Sequence, residues 1–255
     1  MSKTRREKIR QMLQSKPYIA LSELCKCFPD VSEMTLRRDI TFFEEKGEAI
    51  KVRGGVRSTK FITTSTDDSM TERMRENVAS KEKIARAAAR YLETGRSIFI
   101  DSGSTLQQMT KFVQNERYVF TTTNPAAALE LATIGQPVVN VTGGRLDKDY
   151  QSMSGLQAMR FIADINIDIA MLSSSGLSGK SGFTGGNYAE CELKRAVVEK
   201  AERVIMLMDS SKIGRSLPYT FCSLDKVSVL ICDNPLPDDL AAEAERCGTL
   251  VEIVG

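Results

Sequence analysis

The sequence predicts a chain in two parts: a small basic head of three short helices and a β-hairpin, then a doubly wound, mostly parallel α/β domain. Three observations carry this. Residues 1–60 hold 14 Lys+Arg against 8 Asp+Glu, net +6, whereas the other 195 hold 21 against 25, net −4, so the formal +2 of the whole conceals a split. In the head, apolar residues recur at helical spacing over short stretches. Beyond residue 95, short apolar runs alternate with helical segments, the pattern of a parallel sheet covered on both faces.

The composition fits such a chain. With 255 residues, 42% hydrophobic and 27% charged, there is room for one large or two ordinary folded domains, and wholesale disorder is excluded. No stretch approaches the ~18 consecutive apolar residues of a membrane span, and the polar start Met1-Ser2-Lys3-Thr4-Arg5-Arg6 lacks a signal's apolar run. The expected location is the cytoplasm. Six cysteines are too few for a disulfide scaffold, and the absence of histidine removes His-based triads and zinc hydrolysis. The expected boundaries are 1–57 for the head, 58–70 for a Ser/Thr/Asp-rich linker and 71–255 for the body.

Element by element, Ile9, Met12 and Leu13 make Thr4–Gln14 an amphipathic helix that Pro17 ends. Ile19, Leu21, Leu24 and Phe28 predict a second helix, halted at Pro29-Asp30. Ser32 caps a third, whose Leu36, Ile40 and Phe43 form the apolar stripe and which stops at Gly47. Away from that stripe lie Met34, Arg38 and Thr41, flanked by Thr35 and Arg37. An exposed helix face of cations and hydroxyls suits the DNA major groove, where arginine reads guanine bidentately. Asp39 is placed to hold the fork of an arginine. The run Glu48–Arg57 reads as a hairpin with cations at its tip, a wing for the phosphates. The predicted DNA contacts are Ser32, Met34, Thr35, Arg37, Arg38, Thr41, Lys51, Arg53, Gly54 and Gly55. A mere packing module with solvated arginines would leave the agreement of charge, helix length, Arg-Arg placement and basic hairpin unexplained.

These residues carry a resemblance. Arg6, Ile9, the Leu21–Phe28 segment, Val31-Ser32-Glu33-Met34-Thr35-Leu36-Arg37-Arg38-Asp39-Ile40, Gly47 and Arg53-Gly54-Gly55-Val56 resemble the DeoR-type winged helix-turn-helix of bacterial sugar-catabolism regulators. Val56 stands where alanine is usual and Arg53 where histidine is frequent; neither change removes a type of DNA contact.

In the body, Thr71–Leu92 predicts a helix that Gly95 stops. Strands are predicted at Ser97–Ile100, Tyr118–Thr121, Val138–Val141, Ile167–Leu172, Val204–Met208 and Val227–Ile231. Helices between several of them fall at Leu106–Val113, Pro125–Ala132, Gly155–Phe161, Glu190–Lys200 and Leu236–Arg246. Ligands of such folds collect at the carboxyl ends of the strands. There the sequence places Asp101-Ser102-Gly103-Ser104-Thr105, Thr123-Asn124, Gly143-Gly144, Ser173-Ser174-Ser175 and Asp209-Ser210-Ser211-Lys212. Each loop alone is ordinary turn chemistry. Lys212, however, is not demanded by a turn, and together the loops suit a polyol phosphate: Asp and Asn for vicinal hydroxyls, backbone N–H groups and a cation for the phosphate. The predicted effector contacts are Asp101, Ser102, Gly103, Ser104, Thr105, Thr123, Asn124, Gly143, Gly144, Asp209 and Lys212.

This half, with Gly155 as a further match, is similar to the effector domain that accompanies the DeoR head, so the resemblance spans nearly the whole chain. It implies a fold similar to sugar-phosphate isomerases, a phosphorylated sugar as effector and double-stranded operator DNA as partner; a single small head that must read repeated half-sites suggests a homo-oligomer, dimer or tetramer. Pro125 for the usual serine and Ser173–Ser175 for a bulkier run bear on which sugar fits. The competing reading is an isomerase or deaminase in which Asp101, Asp209 and Lys212 move protons; a winged head is unexplained by catalysis. No metal or cofactor is expected: Cys25-Lys26-Cys27 has the wrong spacing for a metal pair and no histidine nearby.

Overall fold

The computed structural model describes residues 2–16, 18–46, 48–59 and 69–255. Pro17, Gly47 and residues 60–68, most of the expected linker, lie outside the described residues. The chain divides into two compact units, a head and a larger body.

The head contains helices α1 (Ser2–Ser15), α2 (Leu21–Cys27) and α3 (Glu33–Glu45) and strands β1 (Tyr18–Ala20), β2 (Ala49–Val52) and β3 (Gly55–Ser58). Ile9, Leu13, Ile19, Leu24, Leu36, Ile40 and Phe43 close its core. Ser32 caps α3 as expected, its hydroxyl accepting from the Thr35 N–H at 3.3 Å. The second helix is shorter than the apolar spacing predicts. Ile19 lies instead in β1, paired antiparallel with Val56 of the hairpin, and Leu21 N–H donates to the Gly54 carbonyl at 2.9 Å. The wing thus becomes a three-stranded sheet in the order β1-β3-β2. Its turn needs glycine twice: Gly54 has φ +86°, and a Cβ on Gly55 would sit 2.3 Å from the Ile19 carbonyl oxygen.

Asp39 holds arginines, but not its neighbours on α3. Buried at 1% exposure, it accepts from Arg5 Nε at 2.6 Å and Arg6 Nε at 2.8 Å, tying α1 to α3. The Arg6 guanidinium also lies over the Phe42 ring, 3.9 Å from its centroid. Arg10 forks onto Glu48 at 2.7 and 3.1 Å, fastening α1 to the start of the wing.

The body is built on seven parallel strands: β4 (Ser97–Ile100), β5 (Val119–Thr122), β6 (Val138–Val141), β9 (Ile167–Ser173), β12 (Ala201–Leu207), β14 (Val229–Cys232) and β15 (Leu250–Ile253). Their order is β15-β14-β12-β9-β4-β5-β6. Alternate side chains feed two cores. Phe99, Ala170, Leu172, Met206 and Leu230 pack against α8 (Leu156–Asp164), α9 (Tyr188–Lys200) and α10 (Asp238–Cys247). Ile98, Ile100, Ile169, Met171, Ile205 and Ile231 pack against α5 (Val78–Ala88) and α6 (Ser104–Met109). Both faces are apolar because both are covered, which is why these strands read as continuous runs.

The helix expected over Thr71–Leu92 is divided into α4 (Met70–Arg73), α5 and a 3₁₀ turn at Ala89–Tyr91. The break falls at Asn77, which adopts a left-handed φ of 50° while its amide donates to Asp209 at 3.0 Å. The ends of the expected linker are structured: Ser58 closes β3, and Ser69 with Glu72 forms a capping box at α4. α7 (Pro125–Ala132) follows the Asn124 cap as predicted. Unpredicted are β15, the hairpin β7 (Arg145–Asp147) and β8 (Ser152–Ser154), and a small antiparallel sheet of β10 (Gly176–Ser178), β11 (Gly182–Gly185) and β13 (Tyr219–Cys222). Among the described residues no helix is long and apolar enough to cross a membrane.

Two outcomes follow. Asp39→Ala leaves two arginines without their buried carboxylate and should destabilise the head by about 2–3 kcal/mol, read as an earlier urea transition of the head's helical signal. Burial pushes the Cys191 and Cys232 thiols up to about 11 and Cys222 to about 12, while Cys27 is exposed. Iodoacetamide at neutral pH should therefore label Cys27 in the folded protein and reach those three only after unfolding, as peptide mass mapping would record.

Candidate functional site

On the head, α3 turns Met34, Arg37 and Arg38 outward; Met34 is 67% exposed. Arg37 is paired with Glu33 one turn back at 2.7 Å, an exposed pair of small worth. Arg38 has no carboxylate within ion-pair distance among the described residues. Ser32 and Thr35 engage each other at 2.9 Å, and Thr41 donates to the Arg37 carbonyl at 3.1 Å. Lys51 and Arg53 are exposed on the wing beside Gly54, whereas Gly55 is buried and serves the strand pairing. The head therefore offers cations from a helix face and from a hairpin.

In the body, strand order reverses between β4 and β9, and the crevice at their carboxyl ends is where such sheets bind ligands. Two small cavities lie there. The first is lined by Arg73, Lys81, Gly103, Ser104, Thr105, Ser173, Ser174, Ser175, Asp209 and Lys212. It is rich in cations. Lys212, only 6% exposed, has no ion-pair or hydrogen-bonding partner for its ammonium among the described residues. Lys81 is buried and donates to the Arg73 carbonyl. Burial pushes its ammonium below the ordinary lysine value; Asp209 opposes this, and Lys212 and Arg73 add to the fall. Asp209 itself caps the turn Ser210–Lys212, its Oδ1 accepting from Asn77, Ser211 N–H and Ser211 hydroxyl.

The second cavity is lined by Asp101, Ser102, Thr123, Ser152, Glu190 and Lys194, with Met153 and Leu193. Asp101 faces Lys194 at 2.9 Å, not Lys212, and accepts from the Ser173 N–H at 3.1 Å and hydroxyl at 2.9 Å. Burial works to lower the Lys194 ammonium, but Asp101 and Glu190 outweigh it and hold the ammonium above its ordinary value. The Glu190 carboxyl is pushed up by burial, with Lys194 and Ser152 opposing. Ser102 and Ser152 both donate to it.

The structure thus divides the predicted residues. Gly103, Ser104, Thr105, Asp209 and Lys212 meet in one cavity; Asp101, Ser102 and Thr123 meet in the other. Gly143 and Gly144 line neither: they turn the chain into β7, and Gly144 packs so close that a Cβ would lie 2.5 Å from the Ser154 carbonyl oxygen. Asn124 is wholly buried, its Oδ1 accepting from Ala126 and Ala127 N–H, while its Nδ2 has no partner among the described residues. Arg73, Lys81, Glu190 and Lys194 were missed. Each is carried by a helix rather than by a strand-end loop, and only the spacing Glu190–Lys194, one turn of α9, hinted that two charges share a face.

The DeoR C terminal sensor domain matches residues 76–234, and the DeoR-like helix-turn-helix domain matches residues 5–61. The chain belongs to the DeoR family. It is a transcriptional regulator that joins a DNA-binding head to a sensor domain. Similar along nearly the whole chain are the HTH-type transcriptional regulator IolR of Bacillus subtilis, 29% identical over 94% of either protein, and GlpR of Haloferax volcanii, 30% identical over 86% of either. The glycerol-3-phosphate regulon repressor of Escherichia coli is 26% identical over 93% of each. A ribose 5-phosphate isomerase A structure from Methanocaldococcus jannaschii aligns with 54% of this chain and 55% of its own, at 16% identity and a TM-score of 0.40.

For this DeoR-family head, Arg38→Ala should weaken operator binding by about 1–3 kcal/mol and relax base discrimination. Arg37→Ala should lose less, because Glu33 already competes for that guanidinium. Binding isotherms at several salt concentrations test this; wild-type affinity and salt slope in both variants would remove this face of α3 from the interface.

Proposed function

We propose that the protein is a repressor of a carbohydrate-catabolism operon in the cytoplasm and that a phosphorylated sugar controls its hold on the operator. The observation that carries this is Lys212, a buried ammonium with no ion-pair partner among the described residues, sharing with Lys81 and Arg73 a cavity in which Asp209 is the one lining carboxylate. Three cations against one carboxylate leave a surplus of positive charge in the cavity, and a phosphate monoester brings about −1.5 to −2 charges and three acceptor oxygens. The adjoining cavity holds the groups a polyol needs: Ser102, Thr123 and Ser152 as hydroxyls, Glu190 as acceptor and Lys194 as donor. The names of the relatives support the operon class.

A catalytic reading is less well supported. Asp101 and Lys194 satisfy each other, which leaves neither poised as a base, and the relatives are regulators. On the DNA side, Ser32, Thr35 and Gly55 shape the head, while Met34, Arg37, Arg38, Lys51 and Arg53 supply the contacts. One short recognition helix reads one half-site, so we take the working form to be a homo-oligomer on repeated half-sites.

Lys212→Met should lower effector affinity about tenfold or more, the worth of a charge-assisted contact of ~1.5–3 kcal/mol. A thermal-shift screen with hexose and pentose phosphates finds the effector, since a ligand of the folded state raises the melting temperature. Operator binding across a titration of that sugar phosphate then tests the assignment; superimposable curves for wild type and variant would remove Lys212 from the site. Asp101→Asn, in contrast, strands Lys194 and should cost stability as well as binding.

A further inference from the structure

One of the three cations in the anion cavity comes from outside the matched sensor domain. That match begins at residue 76 and the head's match ends at 61; α4, Met70–Arg73, lies between them. This short helix is nonetheless fastened to the body. Met70 is fully buried, its N–H donates to the Asp149 carbonyl at 2.7 Å, and the Arg73 carbonyl accepts from Lys81. The side chain of Arg73 is less well provided for. Its guanidinium carbon lies 5.5 Å from the centroid of the Tyr150 ring, and its buried Nε has no hydrogen-bond partner among the described residues. No carboxylate among them lies within ion-pair distance of it. The carboxylate in the cavity, Asp209, is engaged by Asn77 and Ser211.

We propose that Arg73 is a direct ligand of the anion and that α4 thereby couples occupancy of the cavity to the segment leading to the head; this rests on the anion-binding reading of the body given above. A guanidinium fork matches two oxygens of a phosphate, which Lys81 and Lys212 cannot do as point charges. The anion bridges groups of three separate segments: α4, α5 and the turn after β12. Of these, α4 is the one able to yield, since four residues are far too few to hold a helix by themselves. Without the anion, Arg73, Lys81 and Lys212 have Asp209 as the one carboxylate in the lining; with the anion, the three cations share a ligand that clamps α4 to the body. Coupling is reciprocal, so operator DNA and phosphate change each other's affinity by one common factor.

The test uses the full chain with inorganic phosphate as probe, its affinity measured by calorimetry for wild type, Lys212→Met, Arg73→Met and Arg73→Lys. Amide hydrogen exchange over residues 69–76 is followed with and without phosphate. The expected result is a loss of about tenfold or more in Arg73→Met, a smaller loss in Arg73→Lys, and slower exchange of 69–76 in wild type on phosphate addition. Thermal melts that match wild type confirm folded variants, and Arg73→Lys, which keeps the charge, reports on the fork if Arg73→Met does not fold. If Lys212→Met loses phosphate while both Arg73 variants bind as wild type, the anion site stands and this inference fails. If no variant differs from wild type, the anion site itself is wrong. Unchanged exchange in 69–76, with phosphate bound, would overturn the coupling.

Discussion

The ion pair of Asp101 and Lys194 fixes the chemistry of the body, because it joins three segments that would otherwise be independent. Asp101 leaves the end of β4, Lys194 reaches over from α9, and Ser173 closes β9 with its N–H and hydroxyl on the same carboxylate. Lys194 also donates to the Ser173 carbonyl at 2.9 Å. With one side chain only 2% and the other 11% exposed, neither charge can be spared by water. The pair thus sets the spacing of the strand ends from which both cavities are made.

Ser173 in turn presses against the loop after β4. A Cβ on Gly103 would fall 1.9 Å from the Ser173 hydroxyl oxygen, so glycine is the residue that lets β4 and β9 end side by side. The partition between a cationic cavity and one of mixed charge follows from this contact. Cations on one side have no carboxylate to themselves; carboxylates on the other already have a lysine. A ligand with one anionic end and one hydroxylated end complements that polarity.

Much of this was legible in the sequence, and for definite reasons. The central strands carry apolar residues on both faces, so Ile98–Ile100, Ile169–Leu172 and Val204–Leu207 could hardly be read otherwise. Asn124-Pro125 and Ser32 are caps whose side chains announce a helix start. The small strands β7, β8, β10, β11 and β13 were illegible because they are three or four residues long and several are rich in Gly and Ser. β1 was hidden by Ile19, whose spacing to Leu21 and Leu24 suits a helix until the wing offers it backbone partners. At the site, the loops were found because they lie next to strands. Glu190, Lys194, Lys81 and Arg73 were not, since a charged residue on a helix reads as solvated surface unless the tertiary fold turns it inward. Asp101 was legible from its position at the end of β4, whereas its lysine partner depends on which helix crosses above it.

The double clasp on Asp39 has a consequence for how the head meets a polyanion. Part of its positive charge is already engaged internally: Arg5 and Arg6 on Asp39, Arg10 on Glu48 and Lys16 on Glu23. Among the described residues, exposed cations on or near the predicted face that lack a carboxylate partner are Arg38, Lys51, Arg53 and Arg57. Counterion release on a duplex scales with the phosphates neutralised, with a slope of about −0.9 per phosphate in log affinity against log salt. A head that is basic in composition therefore offers a polyanion fewer unpaired cations than its number of lysines and arginines suggests.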